Sequence, residues 1–211
     1  MNTVELFSGT KSFSKVAKDL GHKTFTVDNN KDLNPDLVLD LLLLRYYCPE
    51  HIDILWTSPP CTAFSVAAIG KNWDKNTRKP KSENALLGLK LINNTIQMIS
   101  KENPTYWFIE NPRGMLRKVI DPIFLKYGIK NYKRFTITYC QYGDTRMKPT
   151  DIWTNFIEWN SRPMCKNGDS CHISAPRGSP TGTQGLKNAK ERGVIPPAVF
   201  KEIFKQIKQS D

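Results

Sequence analysis

The sequence predicts an α/β protein built on a doubly wound, mostly parallel sheet. Short apolar segments with the composition of buried strands alternate with amphipathic helical segments along much of the chain. Most links between them are short, as they are where helices connect parallel strands. The 211 residues, of which 39% are hydrophobic, suffice for one domain with a sizeable core, which excludes a disordered chain.

The first third of the chain is predicted to contain several strands and one helix. Strands are predicted at residues 3–7, 24–27, 37–39 and 52–56, where apolar and β-branched residues dominate. The helix begins after Gly9, and Gly21 ends it. Its apolar face, read from helical spacing, consists of Phe13, Val16, Ala17 and Leu20.

The rest of the chain predicts two further helices and three further strands. The strands lie at residues 106–109, 135–139 and 152–156. One helix covers residues 83–101, and Pro196 and Pro197 open the other. Their apolar faces are Leu86, Leu87, Leu91, Ile92, Ile96 and Ile99 in the first, and Val199, Ile203, Phe204 and Ile207 in the second.

Two polar segments interrupt the alternation. Residues 67–82 carry five lysines and arginines and are too long for a simple connector, so we expect a functional loop or lid. Residues 161–193 are rich in Gly, Pro, Ser, Thr and basic residues. We therefore predict a main domain over 1–160, an insertion over 161–193, and a helix over 194–211 that returns to the main domain.

The charge is distributed unevenly. The net charge is +11, but residues 1–60 carry six basic and eight acidic residues, whereas residues 61–211 carry 25 basic and 12 acidic. A neutral first part followed by a basic remainder indicates that a polyanion docks on the later segments. The alternative is a lysine-rich surface that serves only solubility.

The number of cysteines and the lack of long apolar segments indicate the cellular compartment, and the spacing of the cysteines indicates whether a metal is bound. An odd number of cysteines predicts free thiols in a reducing compartment, and the sequence has no segment for a membrane or a signal peptide, so we expect an intracellular protein. Cys165, Cys171 and His172 offer only three ligands at a spacing unlike common zinc sites, so we predict no metal. The cysteines are Cys48, Cys61, Cys140, Cys165 and Cys171.

Four groups stand where predicted strands end, the edge at which open α/β sheets bind ligands. The turn at Gly9, with Asp28 about twenty residues on, predicts a nucleoside-bearing cofactor, although a bare turn is an alternative. Cys61 follows two prolines on a rigid turn and is a candidate nucleophile. Glu110 ends another strand and is a candidate general acid. Taken alone, either residue could have a purely structural role.

Five motifs in order carry a resemblance to a known family. They are ELFSG at residues 5–9, DILWTSPPCTAFS at 53–65, FIENP at 108–112, YGDTRMK at 142–148 and GVIPP at 193–197. With these motifs the chain resembles the DNA (cytosine-5) methyltransferase family, particularly the short versions of bacteriophages and large DNA viruses. The resemblance implies a Rossmann-like fold of class I S-adenosylmethionine-dependent methyltransferases. It also implies the cytoplasm, or the nucleus, of a bacterial or virus-infected cell.

The resemblance implies a reaction through a covalent adduct. Cys61 adds to ring carbon 6 of a cytosine flipped out of double-stranded DNA, while Glu110 donates to ring nitrogen 3. Carbon 5 then takes the methyl group of S-adenosylmethionine, and the loss of its proton and of Cys61 leaves 5-methylcytosine. Arg146 or Lys148 would contact the base oxygen.

The resemblance also implies a cofactor site around the Gly9 turn. Asp28 would bind the ribose of S-adenosylmethionine, and Asp40 would lie near the adenine amino group. The cofactor-binding residues implied are Phe7, Ser8, Gly9, Thr10, Lys11, Ser12, Phe13, Asp28, Asn29, Asp40, Leu41, Pro60 and Val194.

Two segments correspond to the family's DNA-binding parts. Residues 67–82 match a mobile loop that closes over the flipped base, and residues 161–193 match a target-recognition region. So short a region predicts a recognition sequence of about two or three base pairs. We expect a monomer that contacts DNA through Ser65, Lys71, Arg78, Lys79, Arg113, Arg162, Lys166, Arg177, Thr183 and Gln184.

The chain departs from the family pattern at three places. Lys11 replaces a glycine, Pro112 replaces a valine, and Lys148 and Thr150 replace two arginines. A tRNA cytosine-5 methyltransferase, an exocyclic-amino methyltransferase that needs no thiol, and a catalytically impaired nucleic-acid-binding protein stay open as alternatives.

Overall fold

The computed structural model describes residues 1–43, 51–166, 168–174 and 189–210, and at its centre lies a seven-stranded sheet. The strands are β1 (Asn2–Leu6), β2 (Lys23–Asp28), β3 (Leu37–Val38), β4 (Ile54–Thr57), β5 (Tyr106–Pro112), β6 (Lys133–Thr138) and β7 (Pro149–Thr154). Their spatial order is β3-β2-β1-β4-β5-β7-β6. The first five in this order run parallel, and β7 is antiparallel to both β5 and β6. The predicted α/β fold with a mostly parallel sheet is confirmed.

Helices cover both faces of this sheet. They are α1 (Ser12–Asp19), α2 (Ile69–Asn72), α3 (Glu83–Glu102), α4 (Leu116–Val119), α5 (Asp121–Lys126), α6 (Ala189–Gly193) and α7 (Pro197–Ser210). The longest, α3, begins where the Ser82 hydroxyl accepts a hydrogen bond from the Ala85 amide at 3.1 Å, a typical N-terminal cap. None of the helices that the structure describes is long and apolar enough to cross a membrane.

Two hydrophobic cores lie on opposite faces of the sheet, because successive side chains of a strand point to opposite faces. Leu55 and Trp107 belong to the core that α3 and α5 cover. Trp56 belongs to the core under α1 and α7, where its ring centroid lies 5.7 Å from that of Phe13 and 4.8 Å from that of Phe200. Helix α7 thereby packs against α1 and completes this second core.

Several sequence predictions need correction. Leu20 lies one residue beyond α1 and is 40% exposed, so it is not part of the buried face. Leu86 and Leu87, in the first turns of α3, are also exposed. Strand β5 continues to Pro112, so Glu110 lies inside a strand rather than after one, because the antiparallel pairing with β7 extends it. Helices α4 and α5 were not predicted.

The strand order changes direction at β1, which has β2 on one side and β4 on the other. In such sheets the carboxyl ends of the two strands diverge and leave a crevice where ligands bind. The turn after β1, the ends of β2 and β3, and the turn after β4 all open onto this edge.

A buried ion pair joins α4 to the reversed strand β7. The Asp151 carboxylate is fully buried and accepts hydrogen bonds from Nε and Nη2 of Arg117 at 2.9 and 2.5 Å. The Thr136 hydroxyl donates to the same carboxylate at 2.7 Å. Since Asp151 pairs with Asn111 across the sheet, this ion pair supports the end of β5 that follows Glu110.

Replacing Arg117 with leucine would leave the Asp151 charge buried without a cation, so we expect the free energy of unfolding to fall by about 3 kcal/mol. Denaturant unfolding followed by circular dichroism measures this change. Arg134→Leu, at an exposed position of β6, is the matched control and should cost much less. Equal losses for the two variants would contradict a special role for this pair.

Candidate active site

A cavity of about 470 Å³ opens at the carboxyl ends of the parallel strands, against α3. Six of the predicted cofactor-binding residues line it: Phe7, Asp28, Asn29, Asp40, Leu41 and Pro60. The wall also contains residues that were not predicted to bind a cofactor: Leu39, Leu42, Ser58, Thr62, Ala63, Asn84, Leu87, Gly88 and Leu91. Acidic groups thus stand at one side of an otherwise largely apolar hollow.

The turn after β1 has an unusual backbone. Phe7, Gly9 and Lys11 all adopt positive φ, at 53°, 43° and 55°. For residues other than glycine this conformation costs roughly 1 kcal/mol or more and is often found at functional sites. Lys11 therefore keeps the left-handed conformation that a glycine would favour, and its ammonium donates to the Asn34 carbonyl.

Two carboxylates are oriented by backbone amides at this edge. The Asp28 carboxylate accepts hydrogen bonds from the amides of Gly9 and Asn30, both at 2.9 Å. Asp40 accepts one from the Leu42 amide, also at 2.9 Å. These backbone hydrogen bonds orient both carboxylates at the cavity wall.

Other predicted cofactor residues lie outside the cavity lining. Phe13 is a correction, because its side chain is buried in the core under α7. Its amide, at 3.3 Å, and that of Ser14, at 3.0 Å, donate to the buried Glu5 carboxylate, so Glu5 caps α1. Burial raises the pKa of Glu5 to about 7. Ser8, Gly9, Thr10, Lys11, Ser12 and Val194 do not line the cavity either.

Cys61 begins a short turn that neighbouring elements hold tightly. The Asn111 side-chain amide donates to the Pro59 carbonyl at 2.9 Å and so joins this turn to β5. The Trp73 indole donates to the Ala63 carbonyl at 2.7 Å from the other side. The thiol therefore stands on a segment with little freedom to move.

Two glycines allow this close packing. A Cβ at Gly88 of α3 would lie 2.6 Å from the Ala63 Cβ, and one at Gly114 would lie 2.1 Å from the Phe64 carbonyl oxygen. Both distances are shorter than the closest approach of a Cβ atom to a non-bonded carbon or oxygen atom. Only glycine lets α3 and the chain after β5 press against the turn that begins at Cys61.

Glu110 lies beside this turn in a buried polar cluster. The Tyr139 hydroxyl donates to Glu110 Oε1 at 3.1 Å, and the Ser58 side chain also hydrogen-bonds to this carboxyl. Burial raises the pKa of Glu110, and the positive charge of Lys148 opposes that rise. A carboxyl in this setting is inclined to hold its proton.

Cys61, Glu110 and Lys148 lie close enough to influence one another electrostatically. Burial raises the pKa of the Cys61 thiol, Lys148 lowers it, and the Glu110 charge raises it. The Lys148 ammonium lies 5.0 Å from the centroid of the Tyr139 ring and donates to the Arg192 carbonyl at 3.1 Å. The structure thus brings the predicted nucleophile, the predicted acid and a cation together.

Arg146, one of the two residues predicted to contact the base oxygen, has its guanidinium engaged by other groups of the protein. Its guanidinium is almost fully buried and forms an ion pair with Asp144, with Nε at 2.8 and 2.9 Å from the two carboxylate oxygens. The other donors reach the carbonyls of Glu191, Arg192 and Val194 at 3.1, 3.2 and 2.9 Å. Arg146 therefore fastens the start of the last segment to the sheet.

The predicted polyanion-binding residues fall into two groups. Ser65, which bridges to Gly114, and the exposed Arg113 adjoin the Cys61 turn. Lys71, Arg78 and Lys79 are exposed on the segment 67–82, and Lys166 is exposed on the insertion. Arg177, Thr183 and Gln184 lie outside the described residues.

Arg162 differs from this exposed set because it is tied to α7. Its Nε donates to Glu202 at 2.8 Å, and its Nη1 donates to the Gln141 carbonyl at 2.7 Å. The guanidinium keeps about half of its exposure but is held in place by these partners. A base contact by Arg162 would have to break the ion pair with Glu202.

The segment 67–82 is less loose than the sequence predicted. It contains α2 and a bridge between Trp73 and Pro80. Asn72 donates to the Thr62 and Ala63 carbonyls at 3.1 and 3.2 Å, so the base of the segment is attached to the Cys61 turn. The projecting tip, which carries Arg78 and Lys79, is correspondingly short.

The sequence analysis missed Tyr139 and Cys140. Tyr139 reads as one more apolar residue of a strand, and only the antiparallel arrangement of β6 and β7 brings its hydroxyl to Glu110. Cys140 follows it and joins Cys165, Cys171 and His172 in one cluster. The sequence analysis counted three candidate metal ligands, and this count was wrong because Cys140 is a fourth.

The chain is similar in sequence to cytosine methyltransferases. Residues 44–127 match the family model of C-5 cytosine-specific DNA methylases. The chain is also 28% identical to the "Probable DNA (cytosine-5)-methyltransferase" of Frog virus 3 (isolate Goorha), over 97% of this chain and 99% of that protein. The resemblance drawn from the motifs is confirmed.

Solved structures confirm the methyltransferase fold. A protein of an E. coli prophage, assigned as a DNA modification methyltransferase, matches 77% of this chain and 49% of its own with a TM-score of 0.53 and 16% identity. The methyltransferase EhMeth of Entamoeba histolytica matches 81% of this chain and 57% of its own with a TM-score of 0.50 and 14% identity. The chain thus spans about half the length of these structures.

The charges around Cys61 predict how its pKa responds to substitution. Lys148→Met removes a positive charge that lowers the pKa, so we expect the apparent pKa of Cys61 to rise. Glu110→Gln removes a carboxyl whose ionised form raises the Cys61 pKa, so we expect a fall. The measurement is the pH dependence of Cys61 alkylation, followed by mass spectrometry of its peptide.

Lys133→Met, at an exposed position of β6, is the matched control and should leave the Cys61 pKa unchanged. A pKa that does not move in Lys148→Met or Glu110→Gln would contradict the electrostatic grouping of these three side chains.

Proposed function

We propose that this protein transfers a methyl group from S-adenosylmethionine to carbon 5 of a flipped-out cytosine in double-stranded DNA, through a covalent adduct with Cys61. One observation carries the proposal. A thiol on a clamped turn and a buried carboxyl on the adjacent strand β5 share one site with the Lys148 ammonium, beside a cavity with two oriented carboxylates.

Cys61 is proposed as the nucleophile. Its raised pKa keeps the thiol protonated in the resting protein, which protects it from side reactions, while Lys148 stabilises the thiolate once it forms. The thiolate adds to carbon 6 of the cytosine ring. Because the clamped turn fixes the direction of the sulfur, little conformational freedom is lost in reaching the base.

Glu110 is proposed as the acid that acts on ring nitrogen 3. Burial raises its pKa, so the carboxyl is favoured in the protonated form that can donate to the base. The Tyr139 hydroxyl fixes Oε1, and thereby the orientation of the carboxyl group. Protonation at nitrogen 3 draws electrons from the ring as sulfur adds, which leaves carbon 5 able to attack a methyl group.

Lys148, rather than Arg146, is proposed as the cation beside the base oxygen. The five N–H groups of Arg146 are engaged by Asp144 and three backbone carbonyls, whereas Lys148 acts electrostatically on both Cys61 and Glu110. A single ammonium would thus take the place of the two family arginines. Arg146 would act by positioning the segment that carries Val194.

The cavity fits an adenosine-bearing cofactor. Its volume of about 470 Å³, its apolar wall and its paired acidic groups suit a purine ring with a ribose diol. Asp28 would bind the ribose hydroxyls, Asp40 the adenine amino group, and Phe7 and Leu41 the faces of the purine. S-adenosylmethionine supplies an electrophilic methyl group on a sulfonium sulfur when bound.

The exposed basic groups support docking of a duplex over this site. Arg113 lies next to Gly114, which bridges to Ser65 of the Cys61 turn, and Lys71, Arg78 and Lys79 extend the basic surface along the segment 67–82. Contacts of this kind bind phosphates and carry little sequence information. We therefore expect strong salt dependence, binding as a monomer, and a recognition sequence of two or three base pairs.

The test of the reaction compares methyl transfer to duplex DNA and to tRNA. We expect 5-methylcytosine in the duplex, and a loss of at least about a thousandfold in Cys61→Ser, because the serine hydroxyl is a far weaker nucleophile. A duplex with 5-fluorocytosine should trap an adduct that peptide mapping assigns to Cys61. Bisulfite sequencing of the product reads the recognition sequence.

Four outcomes would contradict this assignment in different ways. Transfer to tRNA alone would replace the DNA substrate, and activity that survives in Cys61→Ser would exclude the covalent route. Methylation at an exocyclic amino group would change the reaction class. Binding of DNA with no methyl transfer would favour a catalytically impaired protein.

Asp40→Ala should weaken binding of S-adenosylmethionine and of its demethylated product by a similar factor of about ten, because a charged hydrogen-bond partner of the adenine is lost. Isothermal titration calorimetry without DNA measures the effect. Asp32→Ala, an exposed aspartate nearby, is the control and should bind normally. An unchanged affinity in Asp40→Ala would remove Asp40 from the cofactor site.

A further inference from the structure

Four side chains with metal-binding chemistry converge where the insertion meets the sheet. They are Cys140, Cys165, Cys171 and His172, and their candidate ligand atoms all lie within 4.8 Å of one another. Cys140 directly follows β6 and Tyr139, whereas the other three belong to the segment after Ser161. The cluster therefore unites two parts of the chain that are distant in sequence.

The separations suit a common metal ion. The Cys165 and Cys171 sulfurs each lie 3.7 Å from Nδ1 of His172. In a tetrahedral zinc site with bonds of about 2.3 Å to sulfur, neighbouring ligand atoms are roughly 3.5–3.8 Å apart. The Cys140 and Cys165 sulfurs are 3.1 Å apart, far beyond the bond length of about 2.05 Å of a disulfide.

The described residues 161–166 and 168–174 of the insertion bury few side chains. Among the described residues of 161–174, Cys165 is the one buried side chain, and Ile173 is 65% exposed. Small segments without an apolar core are commonly stabilised by a metal or by disulfides. A few hydrogen bonds hold this one, including the Cys165 amide to the Thr138 hydroxyl at 3.0 Å and the Ile173 amide to the Thr145 carbonyl at 2.9 Å.

We propose that the protein binds one structural Zn²⁺ through Cys140, Cys165, Cys171 and His172. Four protein ligands close the coordination sphere, so the ion has no open position for catalysis, and thiolate and imidazole ligands favour zinc. Binding releases the three thiol protons and involves no oxidation. The ion fixes the insertion to the residue next to Tyr139, and the site does not depend on the proposed reaction.

The first test is the metal content of the intact chain, purified under reducing conditions without chelator. We expect about one zinc per chain by elemental mass spectrometry, and less than a tenth of that in Cys140→Ser and in His172→Ala. The matched controls Cys61→Ser and His51→Ala remove a thiol and an imidazole outside the cluster and should keep the zinc. Zinc in Cys140→Ser equal to that in the controls would overturn the assignment.

Two measurements on the unaltered chain keep the test decisive if the variants do not fold. Replacement of zinc by Co²⁺ should give the intense near-ultraviolet bands of thiolate-to-cobalt charge transfer. Removal of the metal by a chelator should lower the melting temperature by several degrees, and added Zn²⁺ should restore it. A chain that neither purifies with zinc nor gains stability from it, or a Cys140–Cys165 disulfide found under the same reducing conditions, would overturn the proposal.

Discussion

The hydrogen bond from the Asn111 side chain to the Pro59 carbonyl joins the two strand ends on which the chemistry depends. One end carries the Cys61 turn and the other carries Glu110, and neither segment alone would hold its reactive group in register with the other. The surrounding structure is arranged to keep this junction rigid. Gly88 and Gly114 let two elements press on the turn, and the ion pair of Asp151 supports the strand from behind.

Burial and charge act in opposite directions at this junction. Removing Cys61 and Glu110 from water raises the pKa of each group, which favours a neutral thiol and a neutral carboxyl. A single ammonium, Lys148, opposes both shifts. The Tyr139 hydroxyl keeps its own proton, since burial raises its pKa well above the usual value, and it can therefore donate to Glu110. Burial and the Lys148 charge thus act together on the proposed nucleophile and the proposed acid.

Sequence reasoning predicted the parts of this protein that depend on local pattern. The parallel strands, the helices α1, α3 and α7, and the turn at Cys61 follow from apolar periodicity and from residues that end strands. The role of Arg146 could not be predicted, because it depends on carbonyls more than forty residues away. Tyr139 and Cys140 were missed for a similar reason, since their partners, Glu110 in β5 and Cys165 in the insertion, are distant in sequence. The conformation of Lys11 shows the converse, because a lysine adopts the backbone of the expected glycine.

The antiparallel direction of β7 also determines how long the segment after it must be to return to the other edge of the sheet. Because β7 runs antiparallel to β5, it leaves the sheet at the edge opposite the cavity, about 20 Å away for a strand of six residues. Residues 155–164 cover this return, and Trp159 is seated against Phe135 on the way. A deletion there would shorten the link between the end of β7 and Cys165, whose amide donates to the Thr138 hydroxyl at the other end of β6.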